Sequence, residues 1–325
     1  MFSRKIFIPF SESNNIGGPA TFMSNLHKHL EQVGFAYAKT PFFAKGIFFP
    51  ILYDLRAIKW IKFFGGKVIQ RLDGVYYPSQ HGDGYQVMNK DIEHIYRNYA
   101  DVVIFQSAYS RRQCVEMMGE SRGKWEIIHN GVDLDIFYPN QEKKELSKKV
   151  KFLMAGSFRK TAMIEPIVKA LDSLKDEFDL MLTVAGPILD ENLKHFFERD
   201  YIVMAGSLNA GQLSDLHRES DIFLHSQLND NCPNAVLEAV SSGLPVVGFD
   251  GGSMSELLFF QKDLLAYVSE DIFQKYEDFD YRKLAEKIRL SIESYKEYRQ
   301  KSLENCCLYD FQECGKKYLK VFSEM

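Results

Sequence analysis

The sequence predicts an α/β protein built from two domains, each with a parallel sheet. Two observations carry this. The chain alternates short apolar runs of strand length with amphipathic stretches of helix length from residue 5 to residue 308. And Asp221–Glu256 spells out one complete strand–loop–helix–strand unit, which only a parallel sheet accommodates.

That unit opens with the strand residues Ile222-Phe223-Leu224. A polar loop, Asn229-Asp230-Asn231-Cys232, follows. Pro233 sits at the first turn of a helix, where its missing N–H is harmless. The helix stops at Gly243, placed as a C′ glycine, and Pro245-Val246-Val247 is the next strand. Amides of Asn234, Ala235 and Val236 at the helix start favour an anion such as a phosphate. Glu238, one turn further, is a carboxylate able to accept two hydroxyl hydrogen bonds from a sugar. Asp230 lies eight residues before it.

Taken in order, Lys5–Phe10 reads as a first strand. The loop through Gly17 and Gly18 leads to a helix from Pro19 to about Gln32. It is neither GxGxxG nor a P-loop, so a nicotinamide or Walker-type site has little support. In 41–66, Ile51, Leu55, Ile58 and Ile61 recur at helical spacing beside Arg56, Lys59, Lys62 and the aromatics Phe42, Phe43, Phe48, Phe49, Trp60, Phe63 and Phe64. Two readings stand: an ordinary helix packed on the first sheet, or a basic aromatic helix lying on an anionic membrane. Lys67–Leu72 is an inner strand followed by Asp73. Ala100–Gln106 is a strand and Ser107–Met118 a helix, and Trp125–Ile128 leads into His129-Asn130-Gly131-Val132-Asp133. A charged linker at 140–149 sets the boundary, giving domains 1–147 and 148–308. Val150–Ala155, Leu180–Gly186 and Tyr201–Gly206 supply strands of the second domain, with Gly156-Ser157-Phe158-Arg159-Lys160 opening a helix after the first of them. Residues 281–325 are helical.

Composition narrows the function classes. The 325 residues are 46% hydrophobic, enough for two filled cores, and the net charge of −4 disfavours a nucleic-acid binder. Residues 1–147 hold 18 Lys+Arg against 15 Asp+Glu, a net +3, which leaves 22 against 29, a net −7, for the remainder. Five cysteines without metal spacing point to reduced thiols in a cytoplasmic protein, with Cys306-Cys307 read as helix packing. No secretion signal and no apolar run of ~20 residues is visible.

The segments Asp230-Asn231-Cys232-Pro233-Asn234-Ala235-Val236-Leu237-Glu238-Ala239, Gly243-Leu244-Pro245-Val246-Val247 and Gly251-Gly252-Ser253-Met254-Ser255-Glu256 together resemble the carboxylate-x7-carboxylate signature of retaining glycosyltransferases of family 4. His129-Asn130-Gly131-Val132-Asp133 resembles the same family's Asn-Gly-Val-Asp segment. The resemblance implies the GT-B fold, two Rossmann-like domains facing across a cleft. The N-terminal domain would take the acceptor and the C-terminal one the nucleotide sugar, with the last helix, about 309–325, packing back on the first. It implies sugar transfer from a UDP- or GDP-linked donor to a glycan or lipid-linked acceptor with retained configuration, and needs no cofactor or metal. Asp133-Leu134-Asp135 matches a metal-binding DxD only superficially, because it belongs to the Asn-Gly-Val-Asp segment. Residue by residue, the family pattern makes Arg159 and Lys160 the diphosphate clamp, although family members space the two about five residues apart. Asp73 takes the place of a His or Asp facing the transferred sugar, and Asp230 holds its hydroxyls, Asp standing where the family usually has Glu. Gly17, Gly18, Gly156, Leu208, Asn231, Cys232, Asn234, Ala235, Val236 and Glu238 line the donor. The implied setting is the cytoplasm, with contact to the inner face of a membrane through 41–66. A sugar-nucleotide epimerase of the same fold and a non-catalytic partner subunit are the alternatives.

Overall fold

The computed structural model describes residues 5–10, 18–42, 44–142, 145–268 and 280–324. The chain divides into two units. Among the described residues, one comprises those within 5–131 and 311–324, and the other those within 132–268 and 280–310.

The first unit holds a five-stranded sheet, β1 (Ile6–Phe7), β2 (Gly46–Pro50), β3 (Lys67–Leu72), β4 (Val102–Phe105) and β5 (Lys124–Ile127), paired in that order. All pairings are parallel. The sheet is buried on both faces, so its strands read as continuous apolar runs. Phe48 points to one face, among Phe22 and Leu26 of the helix Gly18–Gln32 and Tyr318 and Phe322 of the C-terminal helix Phe311–Ser323. Ile47 and Phe49 point to the other, against Ile58 and Ile61. The last helix therefore completes the core of the first unit.

The 41–66 stretch departs from the helical reading. Residues 46–50 form a sheet strand, Ile51 turns the chain at φ 55°, and only Leu55–Phe63 is helical, capped by Asp54 accepting the Arg56 N–H at 2.6 Å. Two-sided burial hid the strand period in Ile47-Phe48-Phe49. The helix buries Ile58 and Ile61 but leaves Trp60, Phe63 and Phe64 on the surface.

The second unit holds six parallel strands: β6 (Val150–Ala155), β7 (Leu180–Ala185), β8 (Ile202–Gly206), β9 (Ile222–His225), β10 (Val246–Asp250) and β11 (Leu265–Tyr267). Their order is β11-β10-β9-β6-β7-β8. The chain runs outward from β6 through β7 to β8, then returns to the other side of β6 to lay down β9. The strand order thus reverses between β6 and β9. In open α/β sheets such a reversal leaves a crevice at the carboxyl ends of the two strands, where ligands bind.

The division falls at Gly131/Val132, ahead of the charged linker expected to mark it. The intervening residues are tied into the second unit. Phe137 is in its core, the Asn140 carbonyl accepts from Arg299 at 3.1 Å, and Ser147 donates to Asp221 at 3.0 Å. Charge alone is a poor boundary marker when the charged residues have partners. Cys306 and Cys307 lie in a turn after the helix Tyr295–Glu304, not inside a helix, and their sulfurs are 3.8 Å apart as free thiols. Among the described residues no helix is long and apolar enough to cross a membrane.

Candidate active site

The loops that leave β6 and β9 carry the basic and acidic candidates. After β6 the chain passes Gly156 and Phe158 and reaches Arg159 and Lys160, both exposed. The helix expected here does not start at Gly156. Residues 161–163 make one 3-10 turn, and the α-helix spans Glu165–Leu174, so the two cations sit in the loop ahead of it. Neither has a carboxylate partner among the described residues. The ammonium of Lys160 is nonetheless surrounded by enough protein that desolvation lowers its pKa below the ordinary lysine value. A cation left in a partly dry site without a counter-ion suits an anionic ligand. The end of β7 supports the loop closely: Gly186, at φ 122°, lies where a Cβ would come within 1.9 Å of the Gly156 carbonyl oxygen. Only glycine fits there.

The β9 loop is joined to the β6 loop by Ser226, whose Oγ donates to the Met163 carbonyl at 2.6 Å. Within it Asn229 adopts a left-handed backbone at φ 61°. Gly252 of the β10 loop packs on the next residue, since a Cβ there would lie 2.5 Å from the Asp230 carbonyl oxygen. The Ser253 N–H donates to that oxygen at 2.9 Å. The Asp230 backbone is thus clamped. Its carboxylate meets Nε2 of Gln227 at 2.6 Å and Nε2 of His225 at 3.1 Å. Sequence reasoning missed both. The signal available was a histidine closing an otherwise apolar strand, Ile222-Phe223-Leu224-His225, five residues before the candidate carboxylate.

The helix that follows spans Asn234–Ser241, with Pro233 as its N-cap rather than inside its first turn. The Val236 N–H donates to the Pro233 carbonyl at 3.0 Å. Val236 is therefore removed from the anion-facing amides, whereas the Ala235 N–H has no acceptor among the described residues. At the other end Gly243, at φ 72°, terminates the helix as expected. The buried guanidinium of Arg299 donates to the Ser242 and Gly243 carbonyls and to Asn140, satisfying the last turn. Val236, Leu237, Ala239 and Val240 anchor the helix in the core. Glu238, between them in sequence, is only half-buried. Its carboxylate has no protein partner among the described residues, and desolvation pushes its pKa up to about 7. A carboxylate held there at a solvation cost suits hydrogen-bond donors.

The remaining candidates divide. Gly17 lies outside the described residues, and Gly18 begins the first helix. Gly156 and Leu208 stand after β6 and β8, at the carboxyl edge of the second sheet. Cys232 is 6% exposed and its side chain belongs to the core. Asn231 and Asn234 flank the helix start. Asp73, expected to face the transferred sugar, follows β3. Its side chain is 8% exposed and pairs with Arg71, itself fully buried. Arg71 also donates to Tyr318 Oη at 3.1 Å and Asn130 Oδ1 at 2.7 Å, and its guanidinium lies 3.7 Å from the Phe22 ring centroid. Burial opposes the Arg71 charge, but Asp73 and Tyr318 outweigh it and hold its pKa above the ordinary value. Asp73 is the counter-ion of a buried arginine. The signal was present: residues two apart on a strand share a face, and an Arg in an apolar strand needs an anion. In the Asp133-Leu134-Asp135 segment, Asp133 Oδ1 accepts the Asp135 N–H at 3.1 Å, a local turn.

The profile of the "Glycosyl transferases group 1" family matches residues 138–302, just over half of the chain. Among curated proteins, the chain is 25% identical over 169 residues to sulfoquinovosyl transferase SQD2 of Arabidopsis thaliana, covering 49% of this chain and 32% of that protein. It is 22% identical over 233 residues to a probable sucrose-phosphate synthase of Thermosipho melanesiensis, covering 67% of this chain and 52% of that one. The chain thus spans about half or less of these relatives. Among solved structures, HepE of Anabaena in complex with UDP and glucose superposes with a TM-score of 0.73 at 13% identity, covering 99% of this chain and all of that one. The fold is GT-B, and with the family pattern centred on the second sheet and its β6–β9 crevice, the chain belongs to the group 1 glycosyl transferases.

Proposed function

We propose that the chain transfers a sugar, with retained anomeric configuration and without a metal, from a UDP- or GDP-linked donor to a glycan or lipid-linked acceptor. The observation that carries the donor reading is the β6–β9 switch point. Arg159 and Lys160, without a carboxylate partner among the described residues, follow one strand, clamped Asp230 follows the other, and the Glu238 carboxylate, likewise without a partner among the described residues, stands on the helix between β9 and β10. In this reading Arg159, Lys160 and the Ala235 N–H hold the diphosphate. Charge grows on the leaving diphosphate as the glycosidic bond breaks, and pre-placed cations and amides that meet it lower the barrier. Glu238 accepts hydrogen bonds from the ribose and Asp230 from the transferred sugar. HepE was solved with UDP, which favours uridine among the bases.

The test is a panel of UDP-, GDP-, ADP- and dTDP-sugars, incubated with the protein in excess EDTA, with and without an acceptor extract. Release of nucleoside diphosphate that needs acceptor supports transfer. Consumption of donor without acceptor indicates an epimerase, and binding without turnover a partner subunit. Full loss in EDTA, restored by Mn²⁺, refutes the metal-independent scheme.

The proposal places the first unit at an anionic membrane. Phe42, Trp60, Phe63 and Phe64 are 58%, 39%, 82% and 45% exposed and pack on one another, with Lys59 exposed alongside. Aromatic rings left in water beside a cation suit the headgroup boundary. Lys62 is a poor probe, because it donates to both oxygens of Asp101 at 2.9 Å. Lys59→Glu with Phe63→Ser should abolish sedimentation with anionic liposomes. Failure of the wild type to sediment at low salt would remove the membrane from the proposal.

A further inference from the structure

Both oxygens of Asp230 are already held by neighbours in the chain. Gln227 Nε2 donates to Oδ1 at 2.6 Å, and His225 Nε2 lies 3.1 Å from Oδ2. With the carboxylate ionised, that imidazole nitrogen carries the proton and donates. The His225 and Asp230 side chains are only 10% and 23% exposed. Their backbones are fixed as well. His225 ends β9 opposite Gly248, where a Cβ would fall 2.4 Å from the His225 carbonyl oxygen. The next residue, Ser226, is bonded to Met163, and Asp230 is clamped by Gly252 and Ser253.

We propose that His225 and Gln227 are positioning residues that fix the plane of the Asp230 carboxylate, and that Asp at this position is matched to them rather than being a shortened glutamate. This rests on the donor reading given above. Each carboxylate oxygen accepts about two hydrogen bonds. One on each is used by the protein, which leaves one on each for two adjacent hydroxyls of the transferred sugar. Without the bracket the carboxylate rotates about its last torsion and presents no fixed pair. A glutamate adds a methylene, carrying the carboxylate past both donors, and displacement by about 1 Å is enough to lower a rate ~10²-fold.

The experiment is calorimetric titration of the tightest-bound sugar nucleotide of the panel and of its nucleoside diphosphate. The ratio of the two affinities isolates the sugar's contribution. Asp230→Ala and His225→Leu should each lower that ratio about tenfold or more, as loss of a hydrogen bond to a charged group does, while the diphosphate affinity stays within about twofold. His225→Gln restores a donor near the Nε2 position and should recover most of the ratio. Asp230→Glu should lower it. If His225→Leu does not fold, Gln227→Leu provides the same reading from the other oxygen. A ratio lowered by Asp230→Ala but untouched by His225→Leu and Gln227→Leu, or raised by Asp230→Glu, overturns the positioning role alone. A wild type that binds no nucleotide, or an Asp230→Ala ratio equal to wild type, overturns the donor reading for this residue and the proposal with it.

Discussion

Donor affinity should rise with pH between 6 and 8, and Glu238 should be the cause. Desolvation raises its pKa from 4.5 to about 7. The ionised form offers a charged acceptor oxygen to each of two ribose hydroxyls, and accepts more strongly than the neutral acid. With a pKa near 7, about one-tenth of the carboxyl is ionised at pH 6 and about nine-tenths at pH 8. A ligand that selects the ionised form therefore binds about tenfold more tightly at pH 8, a difference of ~1.4 kcal/mol. The stability of the free protein moves the other way. Between about pH 4.5 and 7 the folded protein keeps a proton that the unfolded chain has released, so this contribution is complete below about 4.5, is lost as pH rises to about 7, and is flat above. Ligand-induced stabilisation should consequently grow with pH while the unliganded midpoint falls. The assay is calorimetric titration with a sugar nucleotide, whose diphosphate diester does not titrate in this range, in buffers of different ionisation enthalpy. Net proton release is expected near pH 7. Lys160 cannot mimic the slope. Its lowered pKa makes it lose charge as pH climbs, which weakens diphosphate binding. Glu238→Gln should remove both the rise in affinity and the fall of the unliganded midpoint between about pH 4.5 and 7. An affinity equal at pH 6 and 8 in the wild type, or a rise that survives Glu238→Gln, would refute the assignment of Glu238 to the ligand.

The other expectations are brief. Arg159→Ala and Lys160→Ala should each weaken nucleoside diphosphate binding about tenfold without altering the melting temperature; the variant that leaves affinity intact identifies the cation that misses the phosphates. Arg71→Met strands Asp73 in a site that is 8% exposed, and urea denaturation should show a loss of about 3–5 kcal/mol, as removing one partner of a buried pair does. An unchanged urea midpoint would mean that Asp73 is protonated or solvated in the folded state. Gly186→Ala should destabilise the second unit, because its Cβ collides with the Gly156 carbonyl; melting at the wild-type temperature would contradict the close approach of β6 and β7.

Much of the second unit was legible because its signals are local. The run from Ile222 to Val247 contains its own strand period, loop residues, helix stop at Gly243 and return strand, and each appears where its chemistry puts it. The first unit was harder for a physical reason. A parallel strand buried on both faces loses the alternation that marks a strand, so Gly46–Pro50 merged with the helix after it. Cation placement was the second limit. Arg159 and Lys160 were correctly put after β6, but sequence could not show that the chain makes a 3-10 turn before its helix, leaving both in a loop.

The two aspartates show what sequence can and cannot say about a site. Asp73 and Asp230 each follow a buried strand, and each is held by a residue from that strand or the turn after it. What separates them is the partner. Arg71 is a fixed cation with no solvent access, and a hydroxyl arriving at Asp73 would compete with an ion pair in a dry environment. His225 and Gln227 each donate a single hydrogen bond to a carboxylate that is still 23% exposed, which orients it without exhausting its acceptors. A motif can name both residues. It does not distinguish a carboxylate paired with a buried arginine, as at Asp73, from one held by two single hydrogen bonds, as at Asp230, and Asp230→Ala tests whether the second meets the sugar.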